Sequence, residues 1–279
     1  MPTSPSPRRA AKSPAPAAPP APSRSFWPFI LLIFAAAALA VAVSALPASM
    51  VTRFLPPAVH AEDFSGSVWH GSAGKITVNG QSAGAIEWHL HPEALLRLRV
   101  AADLHWVKGG FVLDGTADLD RHGLTASNLQ GGGPIEDLTD LGLGRGWRGT
   151  AKIQIQELKA VVAASATSVE AAVGEISLSD LTLPQVAAGA DLGGYALKFA
   201  DPVIAPGSDA TAELSDTGGP LSVDAAIRFS GTDRSGVLSG TVKERSDAPP
   251  ALRNQLDNLA RMHARDAQGR IPVDLEFTL

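Results

Sequence analysis

The chain has 279 residues, with 23 Lys and Arg against 28 Asp and Glu, and no cysteine. That length can hold one fair-sized domain or two small ones with a real core. The missing cysteines exclude disulfides, thiolate nucleophiles and Cys-ligated zinc or iron–sulfur sites.

Residues 1–25 carry eight prolines, the cations Arg8, Arg9, Lys12 and Arg24, no acid and no apolar run. Such a stretch cannot bury enough surface to offset its ordering entropy, and it is expected to be a disordered, basic tail. With those four cations set aside, 19 of the 23 remain to face all 28 acids, a net charge of −9 for the body. An acidic body excludes nucleic acid as a partner, because phosphate binding needs a basic face.

Residues 26–46 read FWPFILLIFAAAALAVAVSAL, without a charge. As a helix they would span roughly 31 Å, close to the hydrocarbon thickness of a bilayer. Phe26 and Trp27 stand at one end, where interfacial aromatics are expected. Four cations precede the run and the first acid, Glu62, comes well after it. The segment is therefore expected to be a single transmembrane helix with the N-terminus in the cytoplasm and the body in the periplasm. A cleaved signal peptide is the alternative, with Val43-Ser44-Ala45 as the cleavage site. The preceding 25 residues and the length of the run favour an uncleaved anchor, and either way the body is exported.

A Pro-containing linker is expected over 47–63 and a β-rich domain over 64–279. In the latter the recurring signal is alternation. Leu98, Val100, Ala102, Leu104 and Trp106 share one side; Arg99, Ala101, Asp103 and His105 share the other. Phe111, Leu113, Gly115, Ala117 and Leu119 repeat the pattern, as do Leu221, Val223, Ala225, Ile227 and Phe229, and then Val273, Leu275, Phe277 and Leu279. Strands apolar on one face and wet on the other read this way. Turn signals such as Asn79-Gly80, Lys108-Gly109-Gly110 and Thr217-Gly218-Gly219-Pro220 punctuate them. Strands at this spacing predict an antiparallel meander. A short turn is expected near 134–141. One amphipathic helix is predicted over 250–263, where Leu252, Leu256, Leu259 and Met262 recur at helical spacing and Asp257 can pair with Arg261. The fold class is mainly β: a curved antiparallel sheet after one N-terminal membrane helix, with one late helix tucked against it.

No residue set earns a catalytic, cofactor-binding or metal-ligating role. Gly144, Gly146 and Gly149 satisfy GxGxxG on paper. A dinucleotide site needs a strand before that loop and a helix after it, whereas here alternating Ala151, Ile153 and Ile155 predict a strand. His89 and His91 share a strand face and could together ligate a metal, but no further ligand lies near them in sequence. Asp118 and Asp120 read as an acidic solvent face. No GxSxG, HExxH or phosphate loop is present.

One segment is more specific. Gly66-Ser67-Val68-Trp69-His70-Gly71-Ser72-Ala73 opens the body, followed by Val78-Asn79-Gly80 and then Trp88-His89-Leu90-His91-Pro92-Glu93-Ala94-Leu95-Leu96. This order resembles protein N of the type II (general) secretion pathway. The glycine before a mid-chain strand (Gly149), the late helix, the turn at 266–269 and the last strand fit as well. The resemblance spans about 64–279 and marks Gly66, Trp69, Gly71, Trp88, Pro92 and Gly149 as motif residues. Trp69 and Trp88 read as packing anchors, each with a large apolar area and an N–H that needs a partner.

The resemblance implies a non-catalytic accessory subunit of the bacterial inner membrane that binds no cofactor. Its partners would be the other platform subunits and the secretin, in export of folded proteins across the outer membrane. An AsmA-like lipid-handling protein, whose sheet forms an apolar groove for acyl chains, is the alternative.

Overall fold

The computed structural model of the protein describes residues 45–141, 146–162, 167–184, 189–205, 208–230 and 235–278. The chain divides into two units, Met1–Val43 and Ser44–Leu279, and everything described lies in the second. Nearly all of the apolar run 26–46 therefore lies outside the described residues. Among those described, no helix is long and apolar enough to cross a membrane.

The second unit is one open antiparallel sheet of 13 strands whose spatial order is their order in the chain. The strands are β1 (Val59–Gly66), β2 (His70–Val78), β3 (Gln81–Leu90), β4 (Val100–Lys108), β5 (Phe111–Leu119), β6 (Leu124–Pro134) and β7 (Arg148–Val162). They continue with β8 (Thr167–Thr182), β9 (Gly194–Asp201), β10 (Ala210–Gly218), β11 (Leu221–Ser230), β12 (Ser235–Glu244) and β13 (Ile271–Thr278). Two 3-10 helices, η1 (Ala48–Phe54) and η2 (Ile135–Leu141), and two α-helices, α1 (Pro92–Leu95) and α2 (Pro250–Met262), complete the unit.

The meander and the late helix appear where the alternation and the leucine spacing put them. Two local expectations change. The stretch read as a linker holds η1 and the start of β1. Asp257 pairs not with Arg261 but with Arg265, at 2.7 Å, because the chain after α2 folds back toward β12 and Arg265 also reaches Glu244 there.

Register explains the alternation. Residues directly opposite on paired strands share a face, so Ile86–Trp106–Leu113 and Trp88–Leu104–Gly115 form rows across β3, β4 and β5. Ala225–Gly240–Val273 and Ile227–Leu238–Leu275 do the same across β11, β12 and β13. One face is continuously apolar. The other carries rows such as Glu87–His105–Asp114–Gln130–Gln154–Glu175–Lys198.

The two ends of the strands are treated differently. At one end, α2 sets Leu252 and Leu256 against Leu181, Leu192 and Ile271. Beside it, η2 sets Leu138 against Phe111 and Ala151. The two clusters share Ile135 and Leu178. This capped end collects the tails of β4 and β12 and the heads of β5, β11 and β13. The opposite end, here called the rim, collects the β1–β2 turn, α1, the β5–β6 turn and the last residues of β13.

Candidate functional site

The motif residues from Gly66 to Pro92 converge on the rim end of β1–β3. Gly66 closes β1 with φ +80, and a Cβ there would run into the His70 carbonyl. That conformation suits glycine, and it lets the chain turn through Ser67 and Val68 into β2. Gly71 stands opposite Trp88 in the register. A Cβ on Gly71 would lie 2.6 Å from Cζ2 of the indole and 2.5 Å from the Ser67 carbonyl. The ring thus lies flat on glycine backbone. Its Nε1 donates to the Val68 carbonyl at 2.8 Å, and Phe64 meets it edge-on with centroids 6.4 Å apart. Every polar and apolar part of Trp88 has a use.

Trp69 sits in the β1–β2 turn and is half-buried. Its carbonyl accepts the Leu90 N–H at 2.7 Å. Pro92 opens α1 at its first helical position, with no N–H to leave unsatisfied. Gly149 is elsewhere: it begins β7 at the capped end with φ +148, and a Cβ would meet the Ser179 carbonyl at 2.7 Å. The loop before it leads into that strand, not into a helix.

Around the tryptophans lies a cavity of about 700 Å³. The apolar face of β1–β5 forms its floor through Phe64, Ile76, Ile86, Trp88 and Leu104, and Val51 and Leu55 on and after η1 cover it. Leu95, Val100 and Leu119 line it toward the rim, beside His91. A cavity of this size and lining matches the volume class of small-ligand sites. It offers dispersion contacts and apolar burial, and no group that would attack or protonate a substrate.

The polar face behind Trp88 is a second depression, also about 700 Å³, lined by His70, Glu87, His89, Asp103, His105 and Asp114. The register sets His70 beside His89, and His89 beside Asp103. The rings of His70 and His89 lie 3.9 Å apart and those of His89 and His91 are stacked at 5.2 Å. The His91 imidazole meets Asp103 at 3.0 Å and Glu93 at 3.4 Å. The hydrogen bond to Asp114 raises the His105 pKa above its ordinary value. Sequence spacing showed two of these histidines; strand pairing adds His70, from 19 residues before His89, and the acids of β4 and β5. Among the described residues no group of three or more His, Asp or Glu is arranged to hold a metal ion.

Asp118 pairs with Arg99 at 3.2 Å. Asp120 holds the β5–β6 turn, accepting from the His122 and Gly123 N–H groups and facing the His122 ring at 3.1 Å. The His122 contact, with those backbone donors, draws the Asp120 carboxyl down to about 2.

Sequence reasoning missed Phe64, Trp106 and Lys108. Trp106 donates its Nε1 to the Ala83 carbonyl at 2.6 Å, a second indole tied to a neighbouring strand. Lys108 is buried, with Nζ donating to the Ser82 carbonyl at 2.6 Å and facing Asp140 at 3.1 Å. The alternation ending in Trp106 could have flagged the first; the lysine had no signal.

The family model described as type II secretion system (T2SS), protein N matches residues 57–274. No curated protein and no solved structure matches the chain.

Proposed function

We propose that this chain, which belongs to the type II secretion system protein N family, is a non-catalytic accessory subunit of the secretion machinery. In this reading residues 26–46 hold it in the inner membrane, with the basic tail in the cytoplasm and the sheet in the periplasm. There it supports export of folded proteins across the outer membrane, in contact with other platform subunits and the secretin. The observation that carries the reading is the family match, which runs from the start of β1 nearly to the end of β13. The Trp88 site supports a structural role for the motif: its hydrogen bond and ring contact are spent within the fold.

Deleting the gene tests this. Substrates of the type II route are expected to accumulate in the periplasm, with envelope lipids unchanged, and pull-downs are expected to recover platform subunits. Normal secretion together with failure to bind any platform subunit would sink the assignment.

A second reading has its own observation. The cavity of about 700 Å³ under η1 is lined almost wholly by apolar side chains, the environment an acyl chain prefers. It makes the protein a lipid carrier. Native mass spectrometry of the purified chain would show a phospholipid adduct, and the deletion strain would secrete normally but have an altered envelope.

A further inference from the structure

Every large apolar side chain that is exposed among the described residues lies in the rim half of the sheet. Leu95, Leu96 and Leu98 stand in and after α1, Val100 heads β4, Leu119 ends β5, and Leu124 heads β6. Leu158, Val203, Leu275 and Phe277 continue the set on β7, after β9 and on β13. Leu96 and Leu98 are each 89% exposed and Val203 is 84% exposed. The capped end shows none. Scattered apolar residues need no explanation, but ten confined to one end form a patch that a water-facing surface rarely keeps.

Three further features say what covers it. The first is where the uncharged run ends. Its last residue, Leu46, accepts the Val68 N–H at 2.9 Å, and Pro47 forms a β-bridge with Ser67. Both contacts are in the β1–β2 turn, on the rim. The second is the sequence between α1 and β4, Leu95-Leu96-Arg97-Leu98-Arg99, which alternates exposed leucines with cations. Arg97 is exposed and forms no ion pair among the described residues, and Arg99 is tied back to Asp118. Leucines with interleaved arginines suit the interface of an anionic bilayer, where apolar groups sink below the headgroups and guanidinium groups stay among them. The third is Leu98 itself. Its backbone has φ 57, a region that a bulky side chain adopts only when the surroundings impose it, and the side chain it carries is left in the open.

We infer that the rim is a membrane-seating surface: the sheet stands on the bilayer by this end, with Leu96, Leu98 and Val203 in the lipid interface and the capped end pointing away. The inference rests on reading 26–46 as a membrane segment, and not on any lipid cargo. It does have a bearing on the cavity, which reaches the rim at Leu95, Val100 and Leu119 and so opens toward lipid, not toward water.

The natural chain has no cysteine, so single thiols can be placed in the full-length protein without removing any. Nitroxide labels at L98C and V203C would report the rim, E136C and Q268C the capped end, and A38C the uncharged run. The protein is reconstituted in vesicles of phosphatidylethanolamine and phosphatidylglycerol, and collisions with oxygen are compared with those of a water-soluble nickel chelate. Oxygen is expected to dominate at 98 and 203 and the chelate at 136 and 268, a change of sign in the depth parameter between the two ends. Chelate-dominated collisions at 98 and 203 would overturn the inference. Protection of both labels from both reagents would overturn it too, since a second protein would then cover the rim. The label at 38 separates the two readings: if it reports lipid while 98 and 203 report water, the anchor stands and the seating fails. If 38 also reports water, the anchor itself is wrong.

Discussion

A glycine and a tryptophan set the geometry of the β1–β3 corner. Gly71 leaves the space in which the Trp88 ring lies, and the Val68 carbonyl takes the indole N–H. Adding one methyl in Gly71→Ala puts a carbon where ring and carbonyl atoms already stand, and overpacking of this kind costs about 1–3 kcal/mol. Trp88→Ala removes the ring and leaves a void; the usual range for such losses is about 3–5 kcal/mol, and half-burial puts this one near the lower end. Trp69→Ala, on the cavity side of the turn, is expected to cost less than Trp88→Ala. Urea melts of the three variants measure the order. If Trp69→Ala were the costliest, the packing role assigned to Trp88 would be wrong. The sequence made both tryptophans conspicuous, but nothing in it separated the one lying on glycine from the one facing the cavity. That difference comes from register, which pairs Gly71 with Trp88 across a hairpin.

At the scale of elements, α2 is fastened to the sheet twice. Leu252 and Leu256 enter the capped-end core, and Leu256→Ala should cost about 2–4 kcal/mol. The second fastening is polar. Arg265 donates two hydrogen bonds to Glu244 on β12, at 2.9 and 2.8 Å, and another to Asp257 on α2 at 2.7 Å. The bonds from Arg265 hold the Glu244 carboxyl below the usual carboxylate range. A carboxylate whose pKa falls on folding stabilises the fold above its unfolded-state pKa, and that contribution disappears as pH drops through the folded-state value. Glu244→Gln is therefore expected to lower stability at neutral pH by about 1 kcal/mol. The gap between variant and parent should close as pH falls below about 4, and thermal melts across that range would show it. A gap independent of pH would mean that the carboxylate charge contributes nothing. Legibility differed among elements for physical reasons. Strands β4, β5, β11 and β13 advertised themselves because their apolar-face residues are large. The alternation of β12 was hidden, because on its apolar face Gly236 lies under the Phe277 ring and Gly240 lies against Ala225. Small residues there are demanded by large neighbours on the adjoining strands, a dependence that a single strand's pattern does not carry.

For the whole molecule, the spatial order of the strands follows their order in the chain without exception. Alternation predicted a meander, yet it left open whether the first and last strands would meet; in the structure β1 pairs with β2 alone among the strands and β13 with β12 alone, and no local pattern encodes that choice. The order also sets a history. Each new strand, as it leaves a ribosome or a translocation channel, finds its partner already waiting and needs nothing not yet made. Loop closure is short at every step, which favours rapid assembly from the N-terminal side. The exception is the capped end, where Leu181 and Leu192 must wait for Leu252, Leu256 and Ile271 to arrive. Pulse-labelled hydrogen exchange during refolding should find the amides of β2–β6 protected early and those of α2 and β13 last. Simultaneous protection throughout would contradict this order. A chain built so can begin folding while its tail is still being threaded, and the final helix acts as the latch.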